Sequence, residues 1–377
     1  MKFIGQVSYN INCNFTNYGS ALQSWALSQM IDRIGAEFGL LSKLIDYCPC
    51  VLEDSDCLNP VKKMWDTDNE ARRQIEMMMP AIRENYQKFE DFYTNRFRRT
   101  ARKYFDDDFN DVVKDEDICG FVCGSDTIFC INEFKGFVEG YYANFECMRG
   151  KSVSYAASFG DPTFTNHDYV TLNQRLRNFK ALGIRENNML PYVKAHVNVR
   201  AERTIDPTLL AEPSLYDCLI AKPQLNEKYV LLYSRRYNKK MEQYAENLAK
   251  NKGLKLVEIS IRATNAEKGH IMRYDAGVEE FLSLVNNAEY VVTNSFHGVI
   301  FAVQLRTPFY CFSREQGDTK IAEVLDLFGL SNRIMVEGTE YVPDVVDYDA
   351  VHVRLAEARK PSMEYLKYAL QLLSGLR

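Results

Sequence analysis

The chain has 377 residues, enough for two or three domains. Its 46 basic and 51 acidic side chains give a formal net charge of −5, which argues against a nucleic-acid coat or a polybasic membrane anchor. Apolar residues at 46% and aromatic residues at 12% exclude a disordered chain and point to ring-lined cores and clefts.

The N-terminal MKFIGQVSYN lacks the apolar run of a signal peptide, and no stretch nears the roughly 18 apolar residues of a membrane span. The expectation is a cytoplasmic protein whose ten cysteines are reduced thiols. Cys48 with Cys50, and Cys119 with Cys123, have metal-like spacings, but no second Cys or His pair follows, so no metal is expected. Lys2 to Tyr9 reads as a first strand and Leu40 to Tyr47 as a second. Between them, Leu22, Trp25, Ala26, Met30 and Ile34 recur at helical spacing after the loop Asn17-Tyr18-Gly19-Ser20. Strand, glycine-bearing loop, helix and strand form a βαβ opening and predict a parallel sheet.

Residues 60–104 alternate charge with Met77, Ile82, Tyr86, Phe89 and Phe92, which predicts one or two amphipathic helices inserted into the first domain. The basic stretch RFRRTARK (96–103) reads first as a solvated helix face, with peripheral contact to the inner membrane face as the sharper alternative. ICGFVCG (118–124) and SVSYAASFG (152–160) read as strands. LNQRLRNFKALGIREN (172–187) reads as helix followed by turns, and HVNVRAERTIDPTLL as a short strand with an Asp206-Pro207 turn. Pro213, Pro223 and Asn226 mark a linker over 211–227.

The second half repeats the grammar. KYVLLYS, GLKLVEIS, EYVVTNS and TPFYCFS are strands, and helices run through MEQYAENLAK, VEEFLSLVNNA and HGVIFAVQL. Met363, Leu366, Leu370 and Leu373 mark a terminal helix starting after Pro361. The expected architecture is α/β, with two Rossmann-like lobes facing a cleft, 1–215 and 216–345, and terminal helices over 346–377. Ligands of such sheets sit at the carboxyl ends of the strands.

Those ends hold the chemistry. Thr293-Asn294-Ser295-Phe296-His297-Gly298 joins a buried strand to a helix N-terminus, where free N–H groups attract anions. His297 there can exchange protons near neutral pH, and Gly298 admits a ligand closely. The plainer reading is a capping Asn294 or Ser295 beside a packing histidine. Arg235 and Arg236 follow the second lobe's first strand, and Arg314 and Lys320 its last, so cations there would suit a phosphorylated or carboxylated ligand. In the first lobe, Asn17 and Gly19 sit at the first βα turn without a GxGxxG fingerprint. Asp126 follows its strand and could accept sugar hydroxyls or cap a helix. Arg185 could reach the cleft or pair with Glu186. GxSxG, P-loop, HExxH and CxxC patterns are absent.

Four segments, in order, resemble the polysaccharide pyruvyl transferase family, in particular its exopolysaccharide-type branch. NYGSALQSWAL (17–27) is similar to the family's Asn-x-Gly-x-x-Leu-Gln-x-x-Ala-Leu. FVCGSDTIF and YAASFG are similar to its Gly-Ser-Asp-Gln-x-Trp stretch and the following strand, and IREN with DPTLL to its middle. TNSFHGVIFAVQLRTPFYCF (293–312) is similar to its Asp-Ser-Phe-His-Gly signature. The signature aspartate is Asn294 here, Thr127 and Phe129 stand for the glutamine and tryptophan, and Ser295 stands where another branch has arginine.

The resemblance implies a fold similar to the GT-B glycosyltransferase type. It implies transfer of an enolpyruvyl-derived group from phosphoenolpyruvate to a hexose of a cell-surface glycan or lipid-linked oligosaccharide precursor, giving a pyruvate ketal. No cofactor is implied beyond phosphoenolpyruvate as co-substrate. By motif position, His297 would be the acid/base, with Arg185 and Lys320 on the donor, helped by Ser295, Asn294, Arg235 and Arg236. Asn17, Gly19 and Asp126 would line the acceptor side. A trianionic donor calls for a locally cationic cleft. Two other readings remain: a GT-B glycosyltransferase using a sugar nucleotide, with Glu279 or Glu280 on the ribose, and a non-catalytic glycan or anion binder.

Overall fold

The computed structural model describes residues 2–9, 11–60, 69–313, 318–335 and 345–375. In chain order the first lobe carries β1 (Lys2–Val7), α1 (Tyr18–Gly35), β2 (Leu40–Leu44), α2 (Asn69–Arg96), α3 (Val112–Asp115), β3 (Ile118–Cys123), α4 (Ile131–Phe134), β4 (Ser152–Ala157), α5 (Asn166–Leu176), β5 (Phe179–Ile184), α6 (Leu190–His196), β6 (Arg200–Arg203) and α7 (Pro207–Leu210). The second carries β7 (Tyr229–Tyr233), α8 (Lys239–Lys252), β8 (Lys255–Ile259), β9 (Ile271–Met272), α9 (Val278–Asn286), β10 (Tyr290–Thr293), α10 (Phe296–Gln304), β11 (Phe309–Phe312), α11 (Asp318–Phe328) and β12 (Ile334–Met335). A last helix, α12, spans Tyr348–Ser374.

Each lobe is one six-stranded, wholly parallel sheet, ordered β2-β1-β3-β4-β5-β6 and β12-β11-β10-β7-β8-β9. In the second lobe the order reverses between β7 and β10, so the Ser234 and Asn294 loops flank a switch-point crevice. The protein is therefore α/β with two Rossmann-like lobes. All ten cysteines are free thiols.

Two sequence expectations change. FKALGI, expected within a helix, is β5, a buried strand beginning three residues after α5 ends. The terminal helix begins at Tyr348 and carries Pro361 in its interior. α12 spans both lobes: its first half stays on α11 of the second, with the Tyr348 hydroxyl donating to the Thr307 carbonyl at 2.6 Å, and its second half packs on α1, β3, β4 and β5 of the first, where the Tyr365 hydroxyl donates to the Ser154 carbonyl at 2.8 Å.

The lobes share a core. Tyr18, at the start of α1, stacks on Phe281 of α9 at 4.5 Å and donates its hydroxyl to the Ala276 carbonyl at 2.7 Å. Burying such rings removes well over 100 Å² of apolar surface each from water, so the lobes are joined by hydrophobic area as well as by chain. The described part of the insertion is one 28-residue helix, α2, with Pro80 inside it. It bridges to the second lobe: Lys88 Nζ pairs with Glu280 Oε2 at 2.8 Å and Arg96 Nε with Glu279 Oε1 at 2.8 Å. Farther along the basic stretch, Arg98 pairs with Asp32, Arg99 with Asp46, and Arg102 with Asp115.

Candidate active site in the interlobe cleft

His297 lies in the first turn of α10, which Ser295 caps by accepting from Gly298 N–H at 3.3 Å. The helix forms here because Ser295 supplies that cap and an apolar run follows. His297 is nine-tenths buried, and its Nε2 stands 3.6 Å from Asp206 Oδ2 without a hydrogen-bond partner. The other ring edge lies against α1. A Cβ on Gly19 would fall 1.9 Å from His297 Nδ1, so only a glycine lets the two lobes approach this closely.

Asp206 is the hub that sequence reasoning treated as a turn residue. As N-cap of α7 it accepts from Thr208 N at 2.9 Å and from the Thr208 hydroxyl at 2.6 Å, while Oδ2 accepts from Arg185 Nη1 at 2.9 Å. An aspartate directly before a proline at the first helical position is an N-cap signature, and that was the available signal. Burial alone would raise its pKa. The His297 and Arg185 contacts outweigh burial and hold the carboxyl well below the ordinary range.

Arg185 extends from the end of β5. Its Nε donates to Glu186 Oε1 at 2.9 Å, its guanidinium stands over the Phe296 ring at 5.0 Å, and Nη2 has no protein partner among the described residues. Both the ion pair with Glu186 and the place in the cleft are thus realised. Replacing Arg185 by methionine would leave Glu186 and Asp206 as buried carboxylates without their countercharge. A loss of about 3–5 kcal/mol in urea unfolding is expected, with most of it recovered in Arg185→Lys.

Lys320, in the first turn of α11, reaches across to the β4 end. Its Nζ comes within 4.0 Å of where a Gly160 Cβ would stand. Burial lowers its pKa and nearby Arg185 adds to this, against the opposing pull of Glu186, Asp126 and Glu133. Asp126 accepts from the Ser20 hydroxyl at 2.7 Å and from Thr127 N–H at 3.0 Å. Burial would raise it, but Arg185, His297 and Lys320 together hold it low. A recess of about 370 Å³ beside Arg185 is lined by Glu186, Asp206, Phe296 and Lys320. A second, of about 250 Å³, lies between Tyr18, Tyr233, Arg235 and Tyr274.

Other residues read from the sequence fall to supporting places. Asn294 takes Arg235 N–H at 3.2 Å and donates to the Arg236 carbonyl at 2.7 Å, tying the β7 loop to the β10 loop across the switch point. Ser295 and Asn17 are helix caps. Gly298 does not open space for a ligand: its Cβ position lies 2.5 Å from Thr293 Oγ1, so it serves helix–strand packing. The Arg235 guanidinium is exposed and donates to the Thr16 carbonyl at 3.3 Å, linking the lobes. The Arg236 side chain is exposed, and its backbone carbonyl does the bonding. Arg314 lies outside the described residues. Glu279 and Glu280 are held by α2 rather than turned to a ligand.

The expected cationic cleft is instead mixed. Asp126, Glu133, Glu186 and Asp206 stand among Arg185, Arg235 and Lys320. Carboxylates at this density fix the cations in place and leave few donors, such as Arg185 Nη2 and Lys320 Nζ, for an incoming anion.

Two Rossmann-like lobes meet over a buried histidine with Arg185 and Lys320 beside it, the arrangement of an α/β protein with an interlobe cleft. The chain matches the polysaccharide pyruvyl transferase family over residues 17–316, and it belongs to that family. Among solved structures, it is similar to a Listeria monocytogenes protein assigned as a UDP-N-acetylglucosamine 2-epimerase, at 12% identity and a TM-score of 0.48, covering 99% of this chain and 90% of that one. It is also similar to the E. coli ADP-heptose lps heptosyltransferase II, at 10% identity and a TM-score of 0.34, covering 95% and 99%. No curated protein matches the chain.

Proposed function

We propose that the protein transfers the pyruvyl unit of phosphoenolpyruvate to two hydroxyls of a hexose in a cell-surface polysaccharide precursor, forming a pyruvate ketal. The observation that carries this reading is the convergence of His297, Arg185 and Lys320, from three elements and both lobes, on one cleft. The donor's carboxylate and phosphate meet Arg185 and Lys320, with Arg235 across the switch point. His297 gives a proton to the methylene, which becomes a methyl group, and takes back the proton of the first hydroxyl as that oxygen bonds to C2. The second hydroxyl oxygen then displaces phosphate, and its proton leaves with a base. Asp206 Oδ2 faces Nε2 at 3.6 Å and orients the ring, which leaves Nδ1 as the nitrogen that gives and takes the proton. The sum is redox-neutral, two hydroxyls and phosphoenolpyruvate giving ketal and phosphate, so no redox cofactor is called for.

The acceptor would be a glycan or lipid-linked oligosaccharide precursor handled in the cytoplasm, at the inner membrane face when lipid-linked. No helix among the described residues is long and apolar enough to cross a membrane. The test is purified protein with phosphoenolpyruvate and galactoside or glucoside acceptors, following phosphate release and the ketal methyl signal. Transfer from a sugar nucleotide with none from phosphoenolpyruvate overturns the proposal.

The lowered pKa of Lys320 gives a pH signature. The ammonium form binds phosphate, and a bound anion raises the pKa again. Donor affinity should therefore fall by about tenfold per pH unit once pH passes the lowered free-enzyme value, before the ordinary lysine range is reached. Lys320→Arg, charged throughout, should flatten that alkaline limb in donor titrations.

A further inference from the structure

Asp206, which faces His297, caps a helix too short to stand alone. α7 is one turn, Pro207–Leu210, and a single turn has no stability of its own in water. Its last carbonyls have no partner within the helix, so side chains from elsewhere supply the donors and fix where it lies. Gln304 Nε2 donates to the Thr208 carbonyl at 2.5 Å and to the Ala211 carbonyl at 3.1 Å. Arg359, on α12, donates through Nε to the Leu209 carbonyl at 2.7 Å and through Nη2 to the Ala211 carbonyl at 3.3 Å. The Tyr216 hydroxyl donates to the Thr208 carbonyl at 3.0 Å. Gln304 is buried, and its amide orientation is fixed: carbonyls only accept, so the NH2 faces α7, while Oε1 takes Arg359 Nη2 at 3.4 Å.

Of these three side chains, Gln304 rides on the helix that carries His297. α10 spans Phe296–Gln304, with His297 in its first turn and Gln304 its last residue. Seven residues make two turns less about 20°, so both side chains leave one face of α10, about 10 Å apart. That face meets both ends of α7. His297 stands 3.6 Å from Asp206 Oδ2 at one end, and Gln304 holds the carbonyls at the other. The two helices belong to different lobes, so this grip sets the register of one lobe on the other beside the imidazole.

We infer that Gln304 is a positioning residue for His297: by holding α7 along α10, it keeps the Asp206 carboxylate against the Nε2 edge of the ring. This rests on the proposed reaction, in which that ring moves the protons. Gln304 acts through Asp206 and leaves the donor's cations, Arg185 and Lys320, where they are.

The experiment compares wild type with Gln304→Met, close in volume but without the amide, and Gln304→Asn, which keeps the amide one methylene short. Both carbonyls that lose Gln304 keep a donor, Tyr216 on Thr208 and Arg359 on Ala211, so the variants should fold, as a thermal melt checks. If Gln304→Met fails to fold, Gln304→Asn is read in the same way. Expected for Gln304→Met is a kcat for ketal formation about tenfold lower, with phosphoenolpyruvate KM within about twofold, and a smaller loss for Gln304→Asn. A second readout needs no substrate. In protein labelled with 15N-histidine, the His297 ring signals should shift in Gln304→Met while those of His167, His196 and His270 stay. Unmoved His297 signals, or a folded Gln304→Met with kcat within about twofold of wild type, overturn the inference. Signals that move in a protein showing no transfer from phosphoenolpyruvate support the placing of His297 by Gln304 and overturn the proposed donor instead.

Discussion

Replacing His297 by glutamine is expected to lower kcat by about 10³-fold while the protein stays folded. Glutamine keeps hydrogen-bonding capacity near Asp206 but cannot take up and return a proton at neutral pH. Asp206 would lose one neighbour and keep three bonds, two from Thr208 and one from Arg185, so the α7 cap and the β5 end should hold. The melting temperature should move by no more than a few degrees. Donor affinity should change less than about threefold, because in the proposed mode the donor's charges meet Arg185 and Lys320. Initial rates of ketal formation, a thermal melt and a donor titration read the three quantities separately. A variant retaining more than a tenth of wild-type kcat would remove His297 from the proton transfers.

The second large effect is expected at Gly19. An alanine methyl there would overlap the imidazole at 1.9 Å from Nδ1 and 2.4 Å from Cγ. The ring has little room to retreat, because its Nε2 edge faces Asp206 at 3.6 Å in a buried setting. Nor can the start of α1 withdraw freely, with Tyr18 stacked on Phe281 one residue away. Overpacking of this kind costs about 1–3 kcal/mol. The displaced ring should also cost about 10²-fold in kcat, since reacting groups misplaced by about 1 Å lose that much. Gly19→Ala should therefore be folded, less stable and catalytically poor, as read by urea unfolding and steady-state rates. Wild-type turnover in this variant would show that His297 Nδ1 is not the working nitrogen.

Much of this architecture was legible in residue patterns, because parallel strands buried on both faces read as apolar runs and the helices between them repeat at 3.6. What failed has local causes. β5 follows α5 so closely that Leu172, Leu176, Phe179 and Leu182 keep a helix-like spacing across the break. Pro361 looked like a helix start because a proline inside a helix normally costs about 3 kcal/mol, a price met here by packing on both sides of it. His297, Arg185 and Lys320 were visible as polar groups at strand and helix ends. Asp206 was not, since its importance lies in contacts with residues 21 and 91 positions away. Asn294 and Ser295 show the opposite: polar, well placed, and occupied in holding loops and caps. Sequence gives the residue type at a strand end, and only the assembled sheet shows whether its bonds are already taken.

The return of α12 to the first lobe also orders events during synthesis. Leu373 lies against Gly120 of β3, and Tyr365 bonds to β4. Until a ribosome has delivered those residues, 162 and 170 positions after the first sheet ends at Arg203, one face of that sheet lacks part of its cover. The N-terminal half should thus emerge as a chaperone client, with a sticky apolar face, and mature only after release of the full polypeptide.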